Sequence, residues 1–561
     1  MDYKKQSVEY LIAKMNVLNR NVILGLLVSF LSILQTSAQK NIKIDATDSG
    51  GKFEHYWSKC VGAGRANEGL RAGWLEQLEQ VQENCGFEYV RFHGIFHDDM
   101  FPLLKVKGKT VYNWQYIDDL FDRMLDLDVK PFVELAYFPT LLAAENSKTQ
   151  FWWKANITPD DSKFGEWHDL VKAFTQHSVD RYGIDEVLTW YFEVWNEPNL
   201  TRGFWDGTKS QYFELYKQSV IAVKSVDDRL KVGGPSTSNF VPDTRFDGEV
   251  TDDKVSDAVF NSEDINSLEW HGVWIEDFLE YCHKENLPVD FVSTHPYPTD
   301  YAFNPETGKG KGLTRFANST KLDLLWLNKT IAKSDYPDVE IHLTEWSTSP
   351  NSRDAMHDRL PAAAYIVRTN LDCIGLTNSL TYWTFTDIFE EKGGAASIFH
   401  GGFGMINFQG LVKPSYHAYR MLDKLGDETL YKDDCLFVSK NSKDNRVIAL
   451  AYNYPEEYEN SVPSGSNKRE IGTSKQLDFK LINLKPGAMF KIEILDKDHG
   501  NIHNYWESIG KPEPPTREQI KIMKKEANNL KTWVALVDET GNLIIDHELT
   551  PWSVMLIEQV N

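Results

Sequence analysis

The feature that most constrains the fold is a regular alternation of strand-like and helix-like segments between residues 56 and 387. Eight short runs are rich in β-branched and aromatic residues and are bounded by turn residues, which is typical of buried strands. These predicted strands are residues 56–61, 87–94, 130–137, 190–197, 231–235, 290–297, 340–346 and 379–387.

Helical periodicity fills most of the gaps between these strands. Apolar residues recur at spacings of three and four in three clear groups and one less regular group. The groups are Leu70, Trp74, Leu78, Val81 and Cys85; Ile117, Leu120, Phe121, Met124 and Leu125; Phe164, Trp167, Leu170, Val171 and Phe174; and Leu322, Leu325, Trp326 and Leu327.

Strands that alternate with helices form parallel sheets. Eight repeats over this length predict an α/β fold, the (β/α)8 or TIM barrel. The alternative is an open doubly wound sheet, which usually carries a G-x-G-x-x-G turn after its first strand. The sequence offers only Gly62-Ala-Gly64 there, so we favour the barrel.

Polar residues end five of the predicted strands, and a barrel would bring these ends to one face, where active sites lie. Any single end could be structural, but five together predict a functional site. They are Arg91-Phe-His-Gly94, Asn196-Glu197, Thr294-His-Pro-Tyr-Pro298, Thr344-Glu-Trp346 and Tyr382-Trp-Thr-Phe-Thr-Asp387.

Two glutamates at these ends suggest acid–base chemistry on a sugar. Cleavage of a glycosidic bond with retention needs one carboxyl group that protonates the leaving oxygen and a second that attacks the anomeric carbon. We expect Glu197 to be the acid/base, with its pKa raised by aromatic burial and by the charge of Glu345, the expected nucleophile. Pro198 predicts an extended backbone at Glu197.

Other carboxylates compete for these roles. Glu193 has the same facing parity as Glu197 but lies deeper in the strand, so we expect it to be a structural ion partner of Arg91, and Glu134 is similar. Asp387, Glu390 and Glu391 follow the eighth strand, where they could form a solvated acidic turn or bind sugar hydroxyls. We favour the second interpretation, more for Glu390 than for Glu391.

His93, His295 and Tyr297 could be satisfied core residues, but their positions at strand ends favour a role in binding sugar hydroxyls or orienting the glutamates. A zinc site would need three or four ligands, for which His93, His97 and His295 could be considered. No H-E-x-x-H motif is present, and we expect no metal. The absence of G-x-S-x-G argues against a Ser-His-Asp esterase.

The pattern changes at about residue 427. Short alternating segments at 447–454, 477–484, 489–495, 533–537, 543–546 and 554–559 predict a small β-sandwich, interrupted by one helix at 515–530. Residues 41–45 form a possible extra strand. We therefore expect a barrel domain at 39–426, of which 39–50 could pair with the C-terminal domain, and a sandwich domain at 427–561.

The N-terminus carries the pattern of a signal peptide. Lys14 and Arg20 precede an apolar run from Val22 to Leu34, and small residues lead to a predicted cleavage site after Ala38. An uncleaved membrane anchor is the alternative, and Met15 could be the true start. We expect export to the periplasm or medium, with no membrane association after cleavage.

Composition narrows the class of partner. The net charge of −22 argues against nucleic-acid binding, which depends on basic patches. Seventeen tryptophans suit carbohydrate, although most could be ordinary core residues. The five cysteines match no metal or redox motif, so they look like buried apolar residues, with one disulfide as the alternative.

From about residue 53 to the C-terminus, the sequence resembles glycoside hydrolase family 39, which contains β-xylosidases and α-L-iduronidases. The motifs that carry the resemblance are Phe192-Glu-Val-Trp-Asn-Glu-Pro-Asn199 and the other four strand ends above, with the continuation Ile388-Phe-Glu-Glu391, together with Phe399-His-Gly-Gly-Phe-Gly404 and Asp498-His-Gly500. The resemblance implies Glu197 as acid/base, Glu345 as nucleophile and no cofactor. It also implies contact of Asn196 with the sugar 2-hydroxyl and a substrate-binding set of His93, Asn196, His295, Tyr297, Tyr382, Trp383 and Glu390.

For the substrate, the acidic loop after the eighth strand disfavours a uronate, although Arg65 and Arg202 could oppose that effect. We expect an exo-acting β-xylosidase that releases xylose from xylo-oligosaccharides. The alternatives are an α-L-iduronidase-like enzyme, an arabinosidase, glucosidase or galactosidase, or an inactive carbohydrate-binding protein.

A glycosylation sequon, Asn199-Leu-Thr201, lies close to Glu197, so we expect a bacterial host that does not modify it. Linkage, chain length and oligomeric state are left open.

Overall fold

The computed structural model describes residues 42–560, except residues 202, 244–246, 250–255, 305 and 466–469. The predicted signal peptide, its cleavage site and Arg202 therefore lie outside the described residues. Among the helices that are described, none has the length and apolar composition needed to cross a bilayer.

Eight parallel strands close into a barrel in chain order, which confirms the predicted (β/α)8 fold. All eight predicted barrel strands are found, seven of them with shifted bounds. They are β1 Cys60–Arg65, β2 Tyr89–His93, β3 Lys130–Leu135, β4 Tyr191–Val194, β5 Lys231–Ser238, β6 Phe291–His295, β7 Glu340–Trp346 and β8 Ser379–Tyr382.

One main helix follows each strand and packs on the outside of the barrel. These helices are α1 Ala72–Cys85, α2 Gln115–Asp126, α3 Phe164–Tyr182, α4 Lys209–Lys224, α5 Ile275–Lys284, α6 Ser319–Ile331, α7 Leu360–Asp372 and α8 Pro414–Asp423. Short helices lie at Ile184–Val187 and Asp257–Asn261. Two-stranded ribbons pair Leu103–Val106 with Lys109–Tyr112, Thr149–Gln150 with Ala155–Asn156, Phe240–Val241 with His271–Gly272, and Thr299–Phe303 with Gly310–Thr314.

The helical periodicity correctly identified the buried faces of α2 and α3, where the predicted apolar stripes face the barrel. Helix α6 differs, because Leu322 and Leu325 are exposed while Leu324, Leu327 and Ile331 are buried. The buried residues are spaced by three and four, as one helix face requires, so Leu322 and Leu325 were wrong in the predicted group and Leu327 was right.

The C-terminal region forms two β-sheets that pack on each other. One sheet contains Ile42–Asp45, Lys475–Ile482 and Leu543–Leu549. The other contains, in order, Gly51–Lys52, Glu428–Lys432, Leu436–Lys440, Val447–Tyr452, Val554–Gln559, Met489–Leu495 and Lys531–Leu536. Ile44, Phe479 and Phe490 belong to the apolar cluster between the sheets. Because both N-terminal strands pair with these sheets, we propose that residues 42–52 belong to the sandwich domain.

Among the described residues of this region are two α-helices: Arg517–Ala527 confirms the predicted helix, and Ile502–Ser508 was missed. The missed helix has only seven residues and depends on tertiary contact. Its Trp506 packs on Phe399 of the barrel domain, with ring centroids 5.3 Å apart. All five cysteines are free thiols, four of them buried.

Candidate active site

A cavity of about 890 Å³ opens at the carboxyl ends of the barrel strands. Glu197, in the loop after β4, and Glu345, in β7, both line it. Four members of the predicted substrate-binding set line the same cavity, namely His93, Asn196, Tyr297 and Trp383. Closure of the barrel therefore brings together polar residues that are far apart in the sequence.

The backbone at Glu197 is not extended. Strand β4 ends at Val194, and Glu197 has a φ of 45°, in the left-handed region, so the conformation predicted from Pro198 was wrong. The turn is held by a hydrogen bond from the Glu197 backbone NH to the Ser236 carbonyl (2.8 Å). The buried ring of Trp195 also packs on Phe138, with centroids 4.5 Å apart. These contacts outweigh the local preference, as is common at functional sites.

The two glutamates face each other at short range. One carboxyl oxygen of Glu197 lies within 4.8 Å of one carboxyl oxygen of Glu345. Each residue is only 5% exposed. Retaining glycosidases place their two carboxyl groups about 5–5.5 Å apart, whereas inverting enzymes separate them by about 6.5–9.5 Å. The pair therefore has the spacing of a double-displacement site.

Glu345 is surrounded by hydrogen-bond donors. Arg91 Nη1 donates to its Oε1 (2.7 Å), and the Tyr297 hydroxyl donates to its Oε2 (3.1 Å). Burial raises the pKa of Glu345, and the positive charge of Arg91 opposes that rise. Both donors stabilise the ionised carboxylate, which is the form a nucleophile needs.

Glu197 lies in a different environment. Burial raises its pKa to about 7, so the carboxyl group holds a proton below that pH. Its Oε1 lies 3.0 Å from His295 Nδ1. Burial lowers the pKa of His295 to about 4, so that ring is neutral at pH 7.

The hydrogen bonds around His295 identify its tautomer. The Thr344 hydroxyl donates to Glu193 (2.7 Å), so its oxygen accepts from His295 Nε2 (3.0 Å). His295 Nδ1 then carries no hydrogen and accepts from the protonated carboxyl group of Glu197. His295 thus lies behind Glu197 rather than on the cavity wall, a position that suits the expected role of orienting the glutamates rather than the expected contact with the sugar.

Arg91 is the centre of a buried ion-pair network. Its Nε donates to Glu193 (2.6 Å) and its Nη2 lies 2.9 Å from Glu134, which confirms the expected pairing of Glu193 with Arg91. Arg91 Nη2 also donates to Asn196 Oδ1 (2.9 Å). The Nδ2 of Asn196 is buried without a partner among the described residues, and Asn196 lines the cavity. That amide is therefore available to a ligand.

His93 carries a second positive charge. Burial alone would lower its pKa, but Glu134, 2.7 Å from its Nδ1, contributes to raising the pKa to about 10. Its Nε2 lies 3.7 Å from both Glu345 and Glu391. Phe151 stacks on the His93 ring with centroids 5.5 Å apart, and it also lines the cavity. No pattern in the sequence identified Phe151, which lies in a loop.

The structure places Glu391, rather than the preferred Glu390, on the cavity wall. Glu390 is paired with Arg65 (3.0 Å) and Arg71 (2.8 Å), whereas Glu391 lines the cavity. Arg65 also pairs with Asp99, so it does not provide the free counter-ion considered for a uronate. An irregular loop has no side-chain periodicity from which the inward-facing residue could be predicted. Here Glu390 pairs with Arg65 and Arg71, and Glu391 faces the cavity.

Two further residues near β8 do not line the cavity. Tyr382 is buried against Tyr419 (ring centroids 5.5 Å apart) and does not line the cavity, whereas its neighbour Trp383 does. Successive side chains of a strand point to opposite faces, which accounts for this difference. Asp387 is buried beside Lys413 (2.6 Å), so the expectation that it binds sugar was wrong.

The side chain of Asn199 cannot carry a glycan in this fold. It is completely buried, its Nδ2 donates to the Ser238 carbonyl (2.9 Å), and its Oδ1 accepts from the Ser238 NH (2.8 Å). These bonds tie the loop after β4 to the end of β5. The sequon is thus part of the support for Glu197.

A divalent cation is not needed to balance these charges. Among the described residues, ligand atoms of Glu197, His295 and Glu345 lie within 4.8 Å of one another and could approach an ion. Arg91 already provides a positive charge 2.7 Å from Glu345, and His295 bonds Thr344 and Glu197. His97, considered as a third zinc ligand, instead pairs with Asp99 (2.8 Å).

Comparison with known proteins agrees with this geometry. The sequence profile described as "Glycosyl hydrolases family 39" matches residues 40–252 and 268–543. A β-xylosidase of Caldicellulosiruptor saccharolyticus is 35% identical over 90% of this chain and 96% of its own, and one of Geobacillus stearothermophilus is 34% identical over 86% and 88%. The crystal structure of a monomeric β-xylosidase from Caulobacter crescentus CB15 superimposes with a TM-score of 0.77 at 31% identity, covering 92% of this chain and 98% of that one. This chain therefore belongs to glycosyl hydrolase family 39.

Proposed function

We propose that this protein is an exo-acting β-xylosidase that releases xylose from xylo-oligosaccharides with retention of configuration. The observation that carries the proposal is the pair of buried carboxyl groups, Glu197 and Glu345, with oxygens within 4.8 Å across one cavity. Similarity to β-xylosidases over most of the chain supports the choice of sugar.

In the first step, Glu345 attacks the anomeric carbon while Glu197 gives its proton to the glycosidic oxygen. The bond from that carbon to the leaving sugar breaks, and a covalent glycosyl-enzyme forms. Arg91 and Tyr297 orient the attacking carboxylate, and the Asn196 amide donates to the sugar 2-hydroxyl. His93, Glu391 and Trp383 complete the sugar pocket, so Glu391 replaces Glu390 in the set.

In the second step, Glu197 is an anion because it has lost its proton. It takes a proton from water as the water oxygen attacks the anomeric carbon, and Glu345 leaves. The two inversions at that carbon give net retention. Proton NMR of the first-formed xylose should therefore show the β-anomer, and the α-anomer would contradict the mechanism.

Azide separates the roles of the two glutamates. With Glu345→Ala and an activated β-xyloside, azide should enter from the α face and give the α-xylosyl azide. With Glu197→Ala, azide should attack the glycosyl-enzyme and give the β-xylosyl azide. The opposite stereochemistry would exchange the assignments.

A uronidase is the second candidate, because Lys392 also lines the cavity and could pair with a uronate carboxylate. Glu391 beside it opposes that pairing through like-charge repulsion. A panel of aryl β-xyloside, α-arabinoside, β-glucoside, β-galactoside and α-iduronide should give the highest kcat/KM for the β-xyloside. Higher turnover of any other member would replace the proposed substrate.

One comparison tests the alternative of an inactive sugar-binding protein. Glu345→Gln should abolish turnover while xylose or xylobiose still binds in calorimetry. Equal behaviour of the wild-type protein and Glu345→Gln on every substrate would instead favour the binding protein.

We also propose that the protein is exported to the periplasm or the medium of a bacterial host, on the basis of the apolar segment before Ala38. Mass spectrometry of the native protein should find Gln39 at its N-terminus. A native N-terminus at residue 1 or 15 would contradict cleavage.

A further inference from the structure

A buried cluster of three charges lies behind the cavity and takes no part in the proposed reaction. Lys413 Nζ lies 2.6 Å from Asp358 and 2.6 Å from Asp387. Lys413 is fully buried, and the two carboxylates are at most 4% exposed. Burial of three charged side chains carries a large desolvation cost, which further hydrogen bonds to neighbouring groups can offset.

These three side chains hold the backbone of one short segment, residues 401–404. Asp358 Oδ2 accepts from the Gly401 NH (2.6 Å), and Asp387 Oδ1 accepts from the Gly404 NH (2.7 Å). Lys413 Nζ donates to the Gly402 carbonyl (3.0 Å). Each charge is thereby satisfied by a backbone group of the same segment, which belongs to the motif Phe399-His-Gly-Gly-Phe-Gly404.

The three glycine positions of the segment have no room for a side chain. A Cβ added at Gly402 would overlap the Asp387 carboxylate, and one added at Gly404 would overlap the backbone of Thr386 and Asp387. One at Gly401 would overlap the backbone of Asp354. Close approach of this backbone to its neighbours therefore requires glycine at all three positions.

The one large side chain of the segment, Phe403, lines the cavity. Its ring packs edge-on against Phe389 (centroids 5.5 Å apart), and Phe389 packs edge-on against Trp383 (6.2 Å apart). Phe403 therefore lies on the β8 side of the barrel, on the part of the cavity wall that also contains Trp383. The hydrogen bonds to Gly401, Gly402 and Gly404 hold its backbone in place.

The position of the sugar ring follows from the opposite side of the barrel. Asn196, after β4, shares Arg91 with Glu345, so its free Nδ2 is near the nucleophile and suits the hydroxyl beside the anomeric carbon, at C2. In a six-membered ring, C5 lies across from C2. Strands β4 and β8 are on opposite sides of an eight-stranded barrel, so C5 faces the wall that contains Phe403.

We propose that Phe403 is a specificity-determining residue that occupies the space a hexoside needs for its C5 hydroxymethyl group, and that Lys413, Asp358 and Asp387 are positioning residues that hold it there. The proposal rests on the proposed β-xylosidase function. Xylosides carry only hydrogen at C5, so they fit against this wall, whereas glucosides and galactosides meet the ring.

The test is the ratio of kcat/KM for aryl β-glucoside to that for aryl β-xyloside. Phe403→Ala should raise this ratio by at least about tenfold, since a pocket change of one carbon changes discrimination by roughly 10–200-fold. Phe399→Ala removes a similarly buried ring that does not line the cavity, and it should leave the ratio unchanged. An unchanged ratio in Phe403→Ala, or an equal rise in Phe399→Ala, overturns the proposal.

A binding measurement keeps the inference separate from turnover. 1-Deoxynojirimycin carries the hydroxymethyl group, and 1,5-dideoxy-1,5-iminoxylitol lacks it. Phe403→Ala should tighten binding of the first by at least about tenfold relative to the second. If the wild-type protein does not hydrolyse xylosides, the proposed function fails. The two inhibitors still test whether Phe403 excludes a C5 hydroxymethyl group. Phe403→Leu replaces the alanine variant if thermal melting shows that the latter is unfolded.

The positioning residues have their own readout. Asp387→Asn keeps the shape of the side chain but weakens its hold on Lys413, so it should lower KM for the glucoside while KM for the xyloside changes less than twofold. Lys413→Arg, which keeps the charge, should retain more of the wild-type ratio than Lys413→Met. Loss of both activities in equal proportion in all three variants would mean that the cluster supports only folding.

Discussion

At the scale of single residues, the site concentrates charge in a protein interior. Arg91 and His93 are positive, and they contact the carboxyl groups of Glu134, Glu193 and Glu345. An ionised Glu197 would add another buried negative charge beside them. Its proton therefore limits the charge of the resting site and is also the proton that the first step of the proposed mechanism uses.

The pH dependence should report that proton. Burial raises the pKa of Glu197 to about 7, so the acid form is lost as pH rises through 7, and kcat/KM for a β-xyloside with a poor leaving group should fall about tenfold per unit above it. A dinitrophenyl β-xyloside needs no protonation of its leaving group, and its kcat/KM should stay level across the same range. If both substrates lose activity together, Glu197 is not the acid.

Removing Arg91 should destabilise the whole protein. Arg91→Met leaves the buried carboxylates of Glu134, Glu193 and Glu345 without their shared cation, and a lost partner of a buried ion pair costs about 3–5 kcal/mol. Urea unfolding followed by tryptophan fluorescence should show this loss. Arg123→Met removes a surface pair with Asp119 and should cost less than about 1 kcal/mol. Similar losses in the two variants would contradict a central role for Arg91.

At the scale of elements, rigid strands bring the chemistry together and loops adjust it. Arg91 and Glu345 belong to strands β2 and β7, whereas Glu197, Glu391 and Phe403 lie in loops. Each of these loops is fixed by contacts with a neighbouring element: Ser236 for the loop after β4, and Arg65 and Arg71 for the loop after β8. These contacts give the loops defined positions relative to the strands.

The glycine segment at 401–404 offers a test of this rigidity. Gly404→Ala would press a methyl group against the Asp387 backbone and should destabilise the protein by about 1–3 kcal/mol. Gly394→Ala adds a methyl group to open space in the same connection and should change stability little. Equilibrium urea unfolding compares the two. A neutral Gly404→Ala would show that the segment can move away from Asp387.

At the scale of the whole molecule, the N-terminal strand reaches across to complete the C-terminal domain. Ile42–Asp45 pairs in parallel with Lys475–Ile482, and Ile44 is buried between the two sheets of the sandwich. The barrel and the sandwich also share one continuous apolar cluster, which contains Trp57 and Phe437. The first described residues therefore pack into the apolar cluster between the two C-terminal sheets.

Truncation should reveal this dependence. A chain that begins at residue 47 lacks the strand, so backbone amides of residues 475–482 should exchange hydrogen markedly faster, because that strand becomes a sheet edge. A chain that begins at residue 39 keeps the strand and should match the full-length protein. Hydrogen exchange with mass spectrometry makes the comparison, with β4 as an internal reference. Equal protection of residues 475–482 in both chains would contradict the role of the strand.

Much of this protein follows from its sequence. The eight barrel strands were identifiable because buried parallel strands and amphipathic helices have different apolar periodicities, and their order then placed Glu197 and Glu345 at one face. The pairing of Glu193 with Arg91 followed from strand parity, since alternate residues of a strand share a face.

Only the tertiary structure decided the rest. Glu197 adopts a left-handed backbone because contacts with Ser236 and the packing of Trp195 outweigh the preference imposed by Pro198. Glu391 rather than Glu390 faces the cavity because Arg65 and Arg71, distant in sequence, pair with Glu390. Local sequence determines periodicity and therefore elements, but the direction of a loop side chain depends on partners that only the folded chain brings near.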